Sequence, residues 1–132
     1  MNTDPQWLPW LVQSLQRHAQ AVRVVIAAVR GSAPREAGAS MIVAADAVHG
    51  SIGGGRLEWE VLAQARALLS EGRPRVRLSK FVLGPELGQC CGGAVEVWLE
   101  LHPRSDVQWL DQVWHRSRRE ALEVCSSLSA SG

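Results

Sequence analysis

Leu8, Leu11, Val12 and Leu15 recur at helical spacing, with Gln13, Gln16, Arg17 and Gln20 on the remaining positions. The spacing predicts a helix with one buried stripe. Asp4-Pro5 can open it, with Asp4 as cap and Pro5 in the first turn. Pro9 interrupts soon after, so regular helix is expected from there. Val22–Val29 then runs apolar and β-branched with only Arg23 polar, the pattern of a strand buried on both faces. Arg30-Gly31-Ser32-Ala33-Pro34-Arg35 reads as a turn-forming loop. Gly38-Ala39-Ser40 leads into a short strand, Met41–Ala44, and Asp46–Gly50 reads as a turn.

The second half of the chain is more regular. Over Arg56–Leu69 the residues Leu57, Val61, Leu62, Ala65, Leu68 and Leu69 form one stripe, and Gly72 stands where a helix C-cap glycine belongs. Arg75–Val82 alternates as a half-exposed strand. In Ala94–Leu101, Val95, Val97, Leu99 and Leu101 share one face, while Glu96, Trp98 and Glu100 share the other. Asp106–Arg118 is a second amphipathic helix, capped by Ser105 or Asp106, and Ala121–Leu128 could be a last strand. Trp7 and Trp10 read as packing anchors, since no basic groove accompanies them. Trp59 and Trp98 are simplest as core residues, though they could serve a dimer interface. The elements predict one α/β domain, a mixed sheet with interleaved helices and glycine-rich loops.

Composition narrows the class. The chain has 132 residues, 46% of them hydrophobic and 20% charged, the profile of one globular domain. A net charge of +1 argues against nucleic acid and against an acidic membrane surface. Three cysteines make an odd count, unlike a secreted disulfide scaffold. Reduced thiols and a cytoplasmic location are expected. The first residues lack a signal peptide's charged and apolar segments, and no apolar run reaches the ~20 residues that span a bilayer.

Chemistry concentrates in two loops. Gly50-Ser51-Ile52-Gly53-Gly54-Gly55 precedes the strongest helix, so its backbone N–H groups can face an anion at a positive dipole end. It matches neither the P-loop nor the dinucleotide fingerprint. The plainer reading is a tight strand-to-helix turn, although three consecutive glycines cost backbone entropy that such a turn rarely requires. Gly88-Gln89-Cys90-Cys91-Gly92-Gly93 places adjacent thiols between glycines, just ahead of a strand. Zinc is disfavoured, because there is no second cysteine pair and His18, His49, His102 and His115 are scattered. A disulfide between neighbours is strained, with Cα atoms ~3.8 Å apart against a usual minimum of ~4.4 Å. A thiolate acting as soft ligand or nucleophile is the third reading, and two small packed hydrophobes the plain one. Cys125, in an apolar run, is read as packing. Arg30 and Arg35 flank the first loop and could clamp a phosphate, or simply be solvated. Glu58 is either a dipole-favoured surface charge or a ligand contact.

Arg30-Gly31-Ser32-Ala33-Pro34-Arg35, Gly38-Ala39-Ser40-Met41, Gly50-Ser51-Ile52-Gly53-Gly54-Gly55-Arg56-Leu57-Glu58 and Leu83-Gly84-Pro85-Glu86-Leu87-Gly88-Gln89-Cys90-Cys91-Gly92-Gly93, in this order, resemble the xanthine dehydrogenase accessory factor family of XdhC/CoxI type. The resemblance runs to about Leu101. It implies a non-catalytic chaperone that binds molybdenum cofactor (molybdopterin) transiently, protects its terminal sulfur and delivers it to apo-xanthine dehydrogenase or a related molybdenum hydroxylase. It leaves room for a cysteine desulfurase and a second copy of the chain as further partners. The cofactor-binding residues it implies are Cys90, Cys91, Gly53, Gly54, Gly55, Gln89, Arg35 and Ser32, with Cys90 and Cys91 at the metal. Full-length members carry a second, Rossmann-like domain, for which residues 1–132 leave no room. Two alternatives from the residues stay open: a small thiol-dependent sulfur-transfer or redox protein, and a phosphate- or nucleotide-binding module.

Overall fold

In the computed structural model, which describes residues 6–31, 33, 35–73, 75–84, 93–113 and 115–116, the longest strand sits at the centre. In chain order the elements are α1 (Trp7–Arg17), β1 (Gln20–Arg30), β2 (Ser40–Val43), β3 (Val48–Gly50), α2 (Gly55–Glu71), β4 (Val76–Val82) and β5 (Ala94–Pro103). A 3-10 turn at Arg104–Asp106 then leads into α3, helical at 107–113 and 115–116. The strands form one sheet in the order β3-β2-β1-β5-β4. The α/β domain with interleaved helices is as the sequence implies. Its sheet, read as mixed, pairs antiparallel at every neighbour.

Alternation along the strands sorts side chains to two faces. On one face Val22, Val24 and Ile26 of β1 and Val95, Val97, Leu99 and Leu101 of β5 pack against Leu57, Val61, Ala65 and Leu68 of α2. This is the main core and it uses the expected stripe of α2. Gly72 caps that helix in the left-handed conformation, its N–H donating to Leu68 O at 2.8 Å. The opposite face is covered over only part of its width. Leu8, Leu11, Val12 and Leu15 of α1 bury against Ala21, Ile42 and Leu110. Arg104 ties the end of β5 to α1 and to the turn that follows it, its Nε donating to Leu15 O at 3.1 Å and its N–H to Ala19 O at 2.8 Å. Beyond α1 no other described helix covers this face, and Val76, Leu78, Val82 and Trp98 stand exposed on β4 and β5.

Several expectations need correction. α1 begins at Trp7, ahead of Pro9; proline is tolerated in a first turn, where its missing N–H would have no acceptor. Asp4 and Pro5 lie outside the described residues. Val48–Gly50 is a strand paired to β2, and the turn is tightened earlier by Ala44 N–H donating to Ala47 O at 2.9 Å. β1 carries a bulge between Ile26 and Ala28. Trp59 is 65% exposed and Trp98 is 37% exposed, so neither is a core residue. Trp7 and Trp10 do pack against the α1 cluster. The expected strand Ala121–Leu128 and the packing cysteine Cys125 lie outside the described residues. No helix among the described residues is long and apolar enough to cross a membrane.

Candidate functional site

Register brings the loops to one end of the sheet. Arg30, at the end of β1, pairs with Ala94, the first residue of β5, which pairs with Val82, the last of β4. Ser40 opens β2 opposite Val25, and Gly50 closes β3 opposite Met41. The connections 31–39, 51–54 and 83–93 therefore all leave from the same end, where α2 also starts. The cysteine loop is pinched at its base by Leu83 N–H donating to Gly93 O at 2.7 Å. Gly31 packs against that base: a Cβ there would lie 3.3 Å from Gly93 Cα, and its φ is 69°. Ile52 of the glycine loop and Leu83 of the cysteine stem share the main core, and Arg35 Nη1 donates to Ser51 O at 3.2 Å. The stems of all three loops thus meet. Ser32, Gln89, Cys90 and Cys91 lie outside the described residues.

Gly53, Gly54 and Gly55 all hold positive φ, at 121°, 74° and 66°, so glycine is required by the backbone path itself. The path turns amides inward, but onto an acceptor the chain supplies. Glu58 Oε1 accepts from Ser51 Oγ at 2.5 Å, Ile52 N–H at 2.9 Å and Gly54 N–H at 3.2 Å. Gly53 N–H donates to Ser51 Oγ at 3.1 Å. A carboxylate from the first turn of α2 reaches back to cap its own helix, in the manner of a capping box. Partial burial is the largest single influence on Glu58 and opposes its charge. The Ser51 hydroxyl and the Ile52 and Gly54 amides together outweigh it, and the pKa lies below the ordinary carboxylate value. Glu58 is therefore not a plain surface charge: its Oε1 is the acceptor that the Ile52 and Gly54 amides meet, an anion from within the chain. Arg35 is likewise engaged, by Ser51 O and by Glu36 at 3.4 Å.

A second polar cluster sits at the far end of the sheet. His102 Nδ1 lies 2.9 Å from Asp106 Oδ2 and its Nε2 lies 3.0 Å from Glu100 Oε2. Both partners are acceptors when ionised, so both ring nitrogens must carry protons. Burial is the largest influence and lowers the His102 pKa, but the bonds and charges of Glu100 and Asp106 prevail and raise it. Glu100 also lies 3.8 Å from Arg23, which stacks 3.6 Å over Trp7, and Asp106 lies 3.6 Å from Arg75. The cluster fastens β5 to the Arg104–Asp106 turn and is structural. Because the folded pKa is raised, the stability it contributes is complete below about pH 6.5 and declines as pH rises through the folded value. Melting curves of wild type and His102→Asn should differ most near pH 6 and converge in alkali; a pH-independent gap would refute a charged His102. Among the described residues no three His, Cys, Asp or Glu side chains are placed to hold a metal ion.

Residues 14–81, just over half of the chain, match the XdhC and CoxI family. Over 76 residues the chain is 37% identical to an uncharacterized protein, YqeB, of Escherichia coli (strain K12), a stretch covering 55% of this chain and 14% of that protein. It superposes with a TM-score of 0.70 and 26% identity on the crystal structure of a xanthine dehydrogenase from Bacillus halodurans, covering 83% of this chain and 34% of that one. The chain thus spans well under half the length of either relative.

Proposed function

Because the chain belongs to the XdhC and CoxI family, we propose that it is a non-catalytic accessory protein for a molybdenum hydroxylase of the xanthine dehydrogenase type, one that binds molybdenum cofactor, guards its terminal sulfur and passes it to the apoenzyme. The observation that carries this reading is the meeting of three loop stems at one end of the sheet. The base of the cysteine loop lies against Gly31, and the 31–39 loop is tied to the glycine loop through Arg35 and Ser51. The stem of the 83–93 connection is thus supported on one side by the 31–39 loop. The cofactor, when bound, supplies a dithiolene-held metal with a terminal sulfur ligand. Cys90 and Cys91 are the soft donors that suit it. In this reading a cysteine desulfurase supplies the sulfur, and the cytoplasm is the compartment, since the thiolates must stay reduced.

Gly53–Gly55 have an indirect part in this reading. The Gly54 amide holds Glu58 and the Gly53 amide holds Ser51 Oγ, so in this reading the turn is fixed by the chain's own groups and supports the site from beside it. The test is anaerobic co-expression with an intact cofactor pathway, followed by molybdenum analysis and pterin fluorescence of the purified protein. Wild type should carry molybdenum, and Cys90→Ser or Cys91→Ser should lower the metal content on the order of tenfold or more, as loss of a direct donor should cost at least as much as loss of a supporting partner. If both variants load as well as wild type, the thiols do not hold the metal.

A further inference from the structure

Resting on the preceding reading, the geometry points to a groove on the sheet face opposite α2, beside the cysteine stem, as the seat of the cofactor's phosphate-bearing pterin. Two cross-strand rows line it. Ala28, Glu96 and Lys80 lie abreast on β1, β5 and β4, and Arg30, Ala94 and Val82 form the next row. Residues abreast in a sheet share a face, and these six line a cavity of about 320 Å³, within the usual range for a small-ligand site. The floor is small and apolar, through Ala28, Ala94 and Val82, which suits a flat ring. Arg30 has no ion pair among the described residues, and its fork matches a phosphate monoester. Lys80 adds a second cation, balanced by Glu96 at 3.5 Å. A pterin presents two adjacent N–H donors along one ring edge, the pattern that a carboxylate such as Glu96 accepts.

The bulge in β1 is what makes the groove. Before it, Val22, Val24 and Ile26 face the α2 core. The register then slips by one residue at exposed Ala27, so that Val29 returns to the core side while Ala28 and Arg30 face the groove. In an unbroken strand Arg30 would fall on the buried face. Bulges re-aim side chains in this way near functional sites. At the two sites otherwise expected to take a phosphate, the Ile52 and Gly54 amides donate to Glu58 and the Gly53 amide to Ser51 Oγ, and Arg35 donates to Ser51 O. Val82 closes β4 and Ala94 opens β5 on either side of the 83–93 connection, so the groove borders the stem of that connection.

Binding of neopterin monophosphate, neopterin and guanosine monophosphate to wild type, Arg30→Ala and Glu96→Gln, followed by fluorescence or calorimetry, tests the placement. Wild type should prefer neopterin monophosphate to neopterin. Arg30→Ala should erase that preference, on the order of a tenfold loss for the ester, and Glu96→Gln should weaken both pterins alike. Both side chains are on the surface, so melting temperatures should stay within about 2 °C of wild type. Failure of wild type to bind neopterin monophosphate, an unchanged preference in Arg30→Ala, or tighter binding of guanosine monophosphate overturns the placement. Molybdenum uptake measured on the same variants separates the two ideas. If wild type and Arg30→Ala load metal equally and bind the ester equally, the groove is refuted and the accessory role stands. If wild type takes up no molybdenum yet binds the ester through Arg30, the groove stands as a pterin site and the accessory role falls.

Discussion

Gly50→Ala is expected to lower the melting temperature by about 10 °C. Gly50 has φ of 83°, where an L-residue is strained, at a cost of roughly 1–2 kcal/mol. The neighbours add more. A Cβ at this position would lie 2.6 Å from Ser40 O and 2.9 Å from Trp10 Cζ3. Ser40 O belongs to a paired strand and cannot withdraw, and Trp10 packs against the α1 cluster and stacks on His49 with centroids 6.0 Å apart. Relief must come from moving β3 off β2 or α1 off the sheet, an overpacking cost of roughly 1–3 kcal/mol. The sum is about 2–5 kcal/mol, a large share of a small domain's stability. Gly72→Ala is the comparison. Gly72 has φ of 74°, but its Cβ would meet only Gln20 Nε2 at 3.9 Å, so it should lose only the conformational part, about 1–2 kcal/mol. Thermal unfolding of both variants decides the matter: equal losses would mean that conformation alone, without the clash, sets the cost at Gly50.

The elements legible in the sequence are those whose burial is periodic. α2 and β5 could be read from Leu57–Leu69 and Val95–Leu101 because one face of each meets the same core. What escaped is set by partners distant in sequence. β3 is three residues long and exists through its pairing with Met41–Val43; Val48-His49-Gly50 has no pattern of its own. The bulge in β1 is silent because Ile26, Ala27, Ala28 and Val29 are all apolar, so a one-residue slip leaves the hydrophobic run intact. In β4 the alternation is real but its apolar side faces outward: Val76 and Leu78 are exposed on the face opposite α2, while Phe81 packs toward the core. Trp59 was within reach of sequence reasoning, since it lies off the Leu57–Val61–Leu68 stripe. At the candidate site the glycines' positive φ was foreseeable from composition. Which acceptor their amides would meet was not, because Glu58 reaches them only after the Ser51–Gly55 path has turned back over α2.

Removing that acceptor should have the second-largest effect. In Glu58→Ala the Ser51 hydroxyl and the Ile52 and Gly54 amides lose their common partner, and Ile52 is fully buried in the main core. Unmade bonds of this kind cost about 1 kcal/mol each when water can partly replace the acceptor, so about 2–3 kcal/mol is expected. Glu58→Gln keeps one acceptor oxygen without the charge and should lose roughly half as much. Denaturant unfolding gives the energies. Hydrogen exchange locates them, because the Ile52 and Gly54 amides should lose protection while the β1–β5 ladder keeps it. The acid dependence has a definite sign. Since the folded pKa of Glu58 is lowered, its contribution is present above the ordinary carboxylate value and is lost as pH falls through the folded one. The gap between wild type and Glu58→Gln should therefore close below about pH 4. An alanine variant within about 0.5 kcal/mol of wild type, with both amides still protected, would show that the loop holds its shape without the carboxylate. The glycine turn would then be open to an external anion after all, and the phosphate would no longer need Arg30.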